Sequence, residues 1–449
     1  PIADEFFRLI LGLDAHVRLT TTKWTCSVDS NGTANLYCEL TEDGQQPTTE
    51  KVKLKGVCYS PAPINGSNSY APALGDWYWD DFEAGSTFIS SWSPLLSRDF
   101  PNFRNLHNNA LRVYCMLSRQ LEGNGTFPSP WDNGHYFTHK NFLDLAWDKS
   151  APPEAKMRRS VLVGIPLPAT MFWKTQYDQA SQVEIDYWTN VLRETVRSVA
   201  DHPAVMGFTI QNEQDGADVC YNNPEWATFW WGQVEKMAAI VKEEAPGKLA
   251  GMATHDDPNI PLKASSYMEN CPSIDFWGVN TYQTETFESI FKDYGSLPPK
   301  ALKPVLFTEW GMPATSHRDP NNPGTIYADD QTCSKAAQVA QKMLPQAFAH
   351  PLCIGLYYFE YCDELWNQPE APNIYTWWGG PPAPGFPNGY WDNDGFGLVS
   401  VQRGPGLPND APIWENTGPK FPIDVHTNRN NLFSTVANVC VHIYRKLWA

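Results

Sequence analysis

The chain is short of charge, and shortest of positive charge. Only 18% of its 449 residues are Asp, Glu, Lys or Arg, and 33 basic side chains against 50 acidic ones leave a formal charge of -17. Such a surface repels nucleic-acid phosphates and anionic membranes, so a neutral or cationic ligand suits it better. No apolar run approaches about 20 residues, which leaves no candidate for a membrane-spanning helix. The paired CxxC spacing of a zinc site is missing, and none of the cysteines has a histidine in an arrangement that would activate a thiol. His255-Asp256-Asp257 lacks the further ligands of a metal centre. Repeats, low-complexity tracts and an interdomain linker are absent as well. Where a doubly wound nucleotide-binding sheet carries a glycine-rich phosphate loop, this chain reads Gly56-Val57-Cys58-Tyr59. No cofactor is called for.

Apolar and aromatic residues are plentiful. At 42% apolar the chain can bury a large core, as one large domain or two moderate ones. Its 19 Trp, 19 Tyr and 22 Phe exceed what a core needs, and spare aromatic faces are a usual means of binding sugar rings. Ten cysteines are scattered along the chain, and sequons stand at Asn31, Asn65 and Asn124. Together they point to secretion through an oxidising, glycosylating route, with N-glycans at those three asparagines. The start at Pro1 without Met fits removal of a signal peptide.

Residues 1–50 read as an N-terminal extension, with Cys26 and Cys38 flanking a turn at Asp29-Ser30-Asn31-Gly32, as in a hairpin closed by a disulfide. From residue 51 to 449 short β-branched runs alternate with amphipathic stretches, the pattern of parallel β/α units. Strands are expected at 52–59, 110–116, 160–165, 205–211, 249–255, 274–281, 305–309 and 353–361. Helices are expected at 183–199, 226–244, 335–344 and 433–448. Eight such units predict a (β/α)₈ TIM barrel with long loops at the catalytic face, among them 61–104 and an insertion at 367–422. Cys58 and Cys115, at the ends of adjacent strands, are close enough for a second disulfide if their side chains point alike.

In such barrels chemistry sits at the carboxyl ends of the strands. The fourth strand runs into Gln211-Asn212-Glu213 and the seventh into Glu309-Trp310-Gly311. A single Glu there is ordinarily a solvated loop carboxylate. Two of them, each behind an apolar strand and on opposite sides of the mouth, match a retaining glycosidase, whose carboxyls stand about 5–5.5 Å apart.

Asn212-Glu213 and Glu309 resemble the signature of glycoside hydrolase clan A. Five segments are similar to glycoside hydrolase family 72, the β-1,3-glucanosyltransferases: Lys55-Gly56-Val57-Cys58-Tyr59, the run from Asn109 to Tyr114, Gly207-Phe208 through Glu213, the run from Asp275 to Tyr282, and Pro304 through Gly311. A sixth, Gly355 through Tyr361, is followed by Gly395-Phe396-Gly397-Leu398-Val399. The resemblance implies Glu309 as nucleophile and Glu213 as acid/base. The physics of the reaction agrees: Arg112 and the Tyr282 hydroxyl could hold Glu309 charged, while desolvation and the Glu309 anion would keep the proton on Glu213. Asn212 would donate to the sugar 2-hydroxyl, Tyr114 and Tyr59 would line the pocket, and Trp310 would stack on a sugar. Trp77, Tyr78, Trp79, Trp173, Trp366, Trp377, Trp378 and Trp391 also fall near the mouth. The chain departs from family 72 where Ser60-Pro61 replaces a Gln and Pro166-Leu167-Pro168 an acidic residue. The substrate therefore stays open between β-1,3-glucan, β-1,4-mannan and β-1,4-glucan, beside a barrel that binds glycan without cleaving it or an adhesive extracellular glycoprotein.

Overall fold

The computed structural model describes residues 20–42, 44–60, 92–119, 136–138, 140–147, 158–165, 167–216, 221, 223–255, 260–319, 322–364, 378–402 and 425–447. The sequons at Asn65 and Asn124, Cys220, Asp256, Asp257, and the aromatics Trp77, Tyr78, Trp79, Trp366 and Trp377 lie outside them.

Eight short strands, Leu54–Cys58, Ala110–Val113, Ser160–Gly164, Val205–Asn212, Leu249–Ala253, Trp277–Asn280, Val305–Trp310 and Cys353–Tyr358, pair in parallel in sequence order, and the eighth pairs with the first. Parallel bridges from Gly251 to Phe276 and from Thr254 to Val279 join the fifth to the sixth. The sheet is thus a closed (β/α)₈ TIM barrel. Its strands are almost wholly buried because both faces are covered, which is why they read as continuous apolar runs rather than alternating ones. One set of side chains fills the interior, including Leu54, Cys58, Leu162, Met206, Leu306 and Tyr357. The alternate set, including Val57, Leu111, Val163, Phe208 and Phe307, faces the helices. Two glycines make room for rings inside the barrel: a Cβ on Gly56 would stand 2.1 Å from the Tyr357 ring, and one on Gly251 2.1 Å from Phe276.

The helices start where local chemistry tells them to. Ser181 caps Gln182–Val199 by accepting from the Glu184 amide at 3.2 Å, the Ser-x-x-Glu arrangement of a capping box. Asn223 caps Pro224–Glu244, whose first residue needs no amide partner, and Asp329 caps Asp330–Ala349 by accepting from Thr332 at 2.7 Å. The last helix, Asn430–Leu447, packs on Asp330–Ala349 and on Trp92–Leu106, completing the outer ring beside the first and eighth strands. No helix among the described residues is long and apolar enough to cross a membrane.

Ahead of the barrel, strands Thr20–Val28, Ala34–Glu42 and Thr48–Lys51 form an antiparallel sheet. Its apolar face, with Trp24, Leu36 and Cys38, joins the interior cluster from below and stoppers the amino-terminal end. The Trp24 amide bonds the Gly247 carbonyl at 2.9 Å and the Ala34 amide that of Pro351 at 2.8 Å. Asn31 lies exposed in the hairpin turn.

The expected disulfides are not formed: the nine described cysteines are all free. In the hairpin Cys26 lies opposite Leu36 and Cys38 opposite Trp24, so the two thiols are only diagonal neighbours, and the Cys26 thiol bonds the Asp275 carbonyl at 3.3 Å instead. Cys58 faces the barrel interior whereas Cys115 faces the helices, so their side chains point apart. Burial pushes the Cys38 and Cys58 thiols up to about 12, which keeps them protonated and poor nucleophiles.

Candidate active site

The carboxyl end of the barrel gathers eight polar side chains from the second, fourth, sixth and seventh strands and the residues just after them. Glu309, 4% exposed, receives three donors: Arg112 Nη1 at 2.7 Å and the Tyr114 hydroxyl at 2.7 Å on Oε1, and the Tyr282 hydroxyl at 2.6 Å on Oε2. Arg112 is fully buried and lies over the Tyr114 ring, 4.5 Å from its centre. Its Nη1 also donates to the Thr308 carbonyl at 3.0 Å, and its Nη2 to Asn212 Oδ1 at 2.7 Å. A buried guanidinium paired with one carboxylate and several neutral oxygens meets the condition for keeping a charge in a barrel core.

Glu213 stands one residue past the fourth strand with φ of 54°, in the left-handed region that a residue with a Cβ rarely occupies. Its amide is anchored to the Ala253 carbonyl at 2.9 Å, and the turn aims the side chain into the mouth. The half-buried carboxyl takes one hydrogen bond, from Asn280 Nδ2 to Oε1 at 2.9 Å; its other oxygen has no partner among the described residues. Desolvation, then the neighbouring Glu309 carboxylate, push the Glu213 carboxyl up to about 8.

Two amides join the carboxylates. Asn280 accepts at Oδ1 from the Thr308 hydroxyl at 2.7 Å and donates from Nδ2 both to Glu213 and to Asn212 Oδ1 at 3.0 Å. With its oxygen turned to Arg112 and Asn280, Asn212 keeps its NH₂ group free of described partners. Asn280 and Thr308 were not singled out in the sequence; both belong to inward positions of the strands that carry the other site residues.

Six of the expected site residues, Arg112, Tyr114, Asn212, Tyr282, Glu213 and Glu309, are brought together. Two others are not. Tyr59 is fully buried behind the barrel wall, donates to Asp99 at 2.8 Å and packs on Phe103 and Tyr361. Trp310 is also fully buried, with Nε1 on the Gln283 carbonyl at 2.8 Å and its ring against Phe287 and Tyr358. Tyr59 follows the inward Cys58, so strand alternation turns it to the helices; on the seventh strand a register shift after Phe307 brings Thr308 and Glu309 inward in succession and turns Trp310 to the helices. Strand parity is the signal that distinguishes Tyr59 from Tyr114.

Other aromatics frame the mouth. Trp391, half-buried, meets the Tyr282 ring edge-on at 4.7 Å, and Phe396 meets Tyr282 at 5.7 Å. The segment carrying Trp391 is tied down by Asp392, which accepts from Thr315 at 3.0 Å and Asn388 at 2.7 Å on one oxygen and from the Gly380 amide at 2.9 Å on the other. Trp173 bonds the Gln214 carbonyl at 2.7 Å beside Glu213. No group of metal-ligating side chains is found among the described residues, and the Asp215 carboxylate is engaged with the His255 amide at 3.0 Å.

No profile of a known protein family matches the chain, and no curated protein matches it. Among solved structures it is similar to a GH2 β-galacturonidase from Eisenbergiella tayi bound to galacturonate, with 12% identity, a TM-score of 0.47, and 94% of this chain and 59% of that chain covered. It is similar to β-glucuronidase 2 of Bacteroides uniformis, covalently bound to cyclophellitol-6-carboxylate aziridine, with 14% identity, a TM-score of 0.45, and coverage of 84% and 39%. A third, Saccharomyces cerevisiae Gas2p with laminaritetraose and laminaripentaose, has 14% identity, a TM-score of 0.43, and coverage of 93% and 67%. The chain spans less than two thirds of the length of the first two. Likeness at this level is one of fold, so a reading of the activity has to rest on the site.

Proposed function

We propose that the chain is a retaining glycosidase or transglycosylase acting on a β-linked glucan, β-1,3-linked by preference, with Glu309 as nucleophile and Glu213 as acid/base. The observation that carries this reading is the asymmetry of the two carboxyls. Glu309 is met by a guanidinium and two phenol hydroxyls, all donors, which suits a group that must attack as the anion. Glu213 is held up to about 8, which suits a group that must give a proton to the leaving oxygen near neutral pH.

In the first half-reaction Glu309 attacks the anomeric carbon while Glu213 protonates the departing oxygen. The glycosyl ester neutralises Glu309, which removes one of the causes that keep the proton on Glu213. The acid thereby becomes a competent base for the incoming water or sugar hydroxyl. The NH₂ of Asn212, without a partner among the described residues, would bind the 2-hydroxyl, and Trp391 offers an aromatic edge at the mouth. The residues 51–449 would form the catalytic unit, with 1–50 as its extension, and a secreted glycoprotein would suit the sequon in the exposed turn at Asn31.

The test is incubation with β-1,3-, β-1,4- and mixed-linked oligosaccharides, with product length read by mass and anomeric form by NMR. Products in the β form are expected; products longer than the substrate mean transfer, shorter ones hydrolysis. The α anomer as first product overturns the mechanism, and no turnover on any glycan overturns the activity.

A further inference from the structure

We infer that Asn280 is the positioning residue that decides which oxygen of Glu213 carries the catalytic proton, and that its own orientation is set from the nucleophile's side of the site through Thr308 and Arg112. The inference rests on the acid/base reading of Glu213.

The orientation of the Asn280 amide follows from partners whose roles are unambiguous. Its Oδ1 faces the Thr308 hydroxyl at 2.7 Å and Arg112 Nη1 at 3.4 Å, and a guanidinium can only donate. The NH₂ must therefore point the other way, to Glu213 Oε1 at 2.9 Å and Asn212 Oδ1 at 3.0 Å. With both its hydrogens placed, this amide offers Glu213 only an N–H. Glu213 Oε1 is obliged to accept, so the carboxylic proton resides on Oε2, the oxygen without a described partner and the one available to the leaving group. A carboxyl free to swap its proton between the two oxygens would spend part of its time with the proton aimed at Asn280.

Arg112 sets both amides at once. The same guanidinium that pairs with Glu309 at 2.7 Å turns Asn212 by its Oδ1 at 2.7 Å, so the nucleophile's counter-charge, the acid's proton and the free Asn212 amide share one frame. The charged and titratable groups around Glu213 are Glu309 on the seventh strand, Arg112 on the second, Tyr282 after the sixth and Asp215 in its own loop. Asn280 is the neutral member, and the hydrogen bond it gives to the ionised form lowers the Glu213 value against the other raising influences.

The test uses Asn280→Ala and, as a milder change that keeps the volume, Thr308→Val, which removes the hydroxyl that orients the amide. Glu213 is titrated by ¹³C NMR of labelled glutamate, assigned by its loss in Glu213→Gln, and the pH–rate profile is measured on a glycan and on an aryl β-glycoside whose leaving group needs no protonation. In Asn280→Ala the titration and the alkaline limb are expected to move to higher pH together. Turnover of the glycan should fall roughly tenfold to a hundredfold, with glycosylation by the aryl substrate nearly unchanged. Thr308→Val should show the same pattern, smaller. An unchanged titration and profile in both variants, or equal losses on the two substrates, overturns the role of Asn280. A wild-type protein that turns over no glycoside while its titration still moves in Asn280→Ala overturns the glycosidase reading alone.

Discussion

At the amino-terminal end of the barrel, lysines are tied to backbone carbonyls; in the cluster at the carboxyl end the charges are two glutamates and an arginine. Lys248 spends its three hydrogens on the Thr22 carbonyl at 3.0 Å, the Thr22 hydroxyl at 2.9 Å and the Val205 carbonyl at 2.8 Å. Lys53 lies on the carbonyls of His350 and Cys353, and Lys303 on those of Cys271 and Ile274. Burial lowers Lys248 to about 8, yet every donor it has is used. At the other end, Glu213 is displaced to a similar value in the opposite direction, and one of its oxygens and the Asn212 amide are left without described partners. A buried charge whose hydrogen-bonding capacity is exhausted holds the fold together; one that keeps spare capacity at an open mouth is available for chemistry.

The comparison breaks most visibly at the carboxyl end. Glu309→Gln and Glu213→Gln should each lower turnover of a glycan by several orders of magnitude, with unchanged circular dichroism, because neither side chain is needed to close the barrel. Glu213→Gln should keep its first step on an aryl glycoside with a good leaving group, whereas Glu309→Gln should not. Retention of glycan turnover in either variant removes the assignment.

At the amino-terminal end the same kind of removal should cost stability and spare the chemistry. Trp24→Ala takes the largest ring out of the hairpin face that stoppers the barrel, and a loss of about 3–5 kcal/mol is expected in denaturant unfolding. Lys248→Met strands the Thr22 and Val205 carbonyls and should cost about 1–3 kcal/mol. In both variants kcat/KM per folded molecule should equal that of the wild type. A large drop in kcat/KM for either would mean that the two ends are coupled through the barrel and are not independent.

How much of this was legible depends on what each pattern encodes. All eight strands could be read because burial on both faces writes them as apolar runs, and the strand count placed Glu213 and Glu309 at the mouth. The direction of individual side chains at strand ends was harder: two-residue parity turns Tyr59 outward, whereas parity counted from Leu306 would turn Trp310 inward, and only the register shift after Phe307 sends it to the helices. The same parity separates Cys58 from Cys115 and rules out their bridge. The register of the hairpin, which sets Cys26 beside Leu36 and not Cys38, is fixed by pairing along the whole ribbon and not by the turn alone. Asn280 carried no signal of its own, since an amide between two carboxylates is recognisable only once the sixth strand has been placed between the fourth and the seventh.

The effect of Glu213→Gln on stability is the most diagnostic of the contrast, because its sign differs from that of the lysine variant. The Glu213 carboxyl is raised from its ordinary value to about 8 in the folded protein, so the native state holds a proton that the unfolded chain has released above the ordinary glutamate range. This contribution to stability is fully present in acid and is lost as pH rises from that range through about 8. At neutral pH the wild type therefore carries a penalty for burying a group that would otherwise ionise, and Glu213→Gln, which cannot ionise, escapes it. The variant should be more stable than the wild type near pH 7 by about 1–3 kcal/mol, allowing for water at the open mouth, and the difference should vanish near pH 4. Chemical denaturation at the two pH values measures it. Equal stability at both would mean that Glu213 titrates in the folded protein as it does in water, and the proton needed for general-acid catalysis would then be missing at neutral pH.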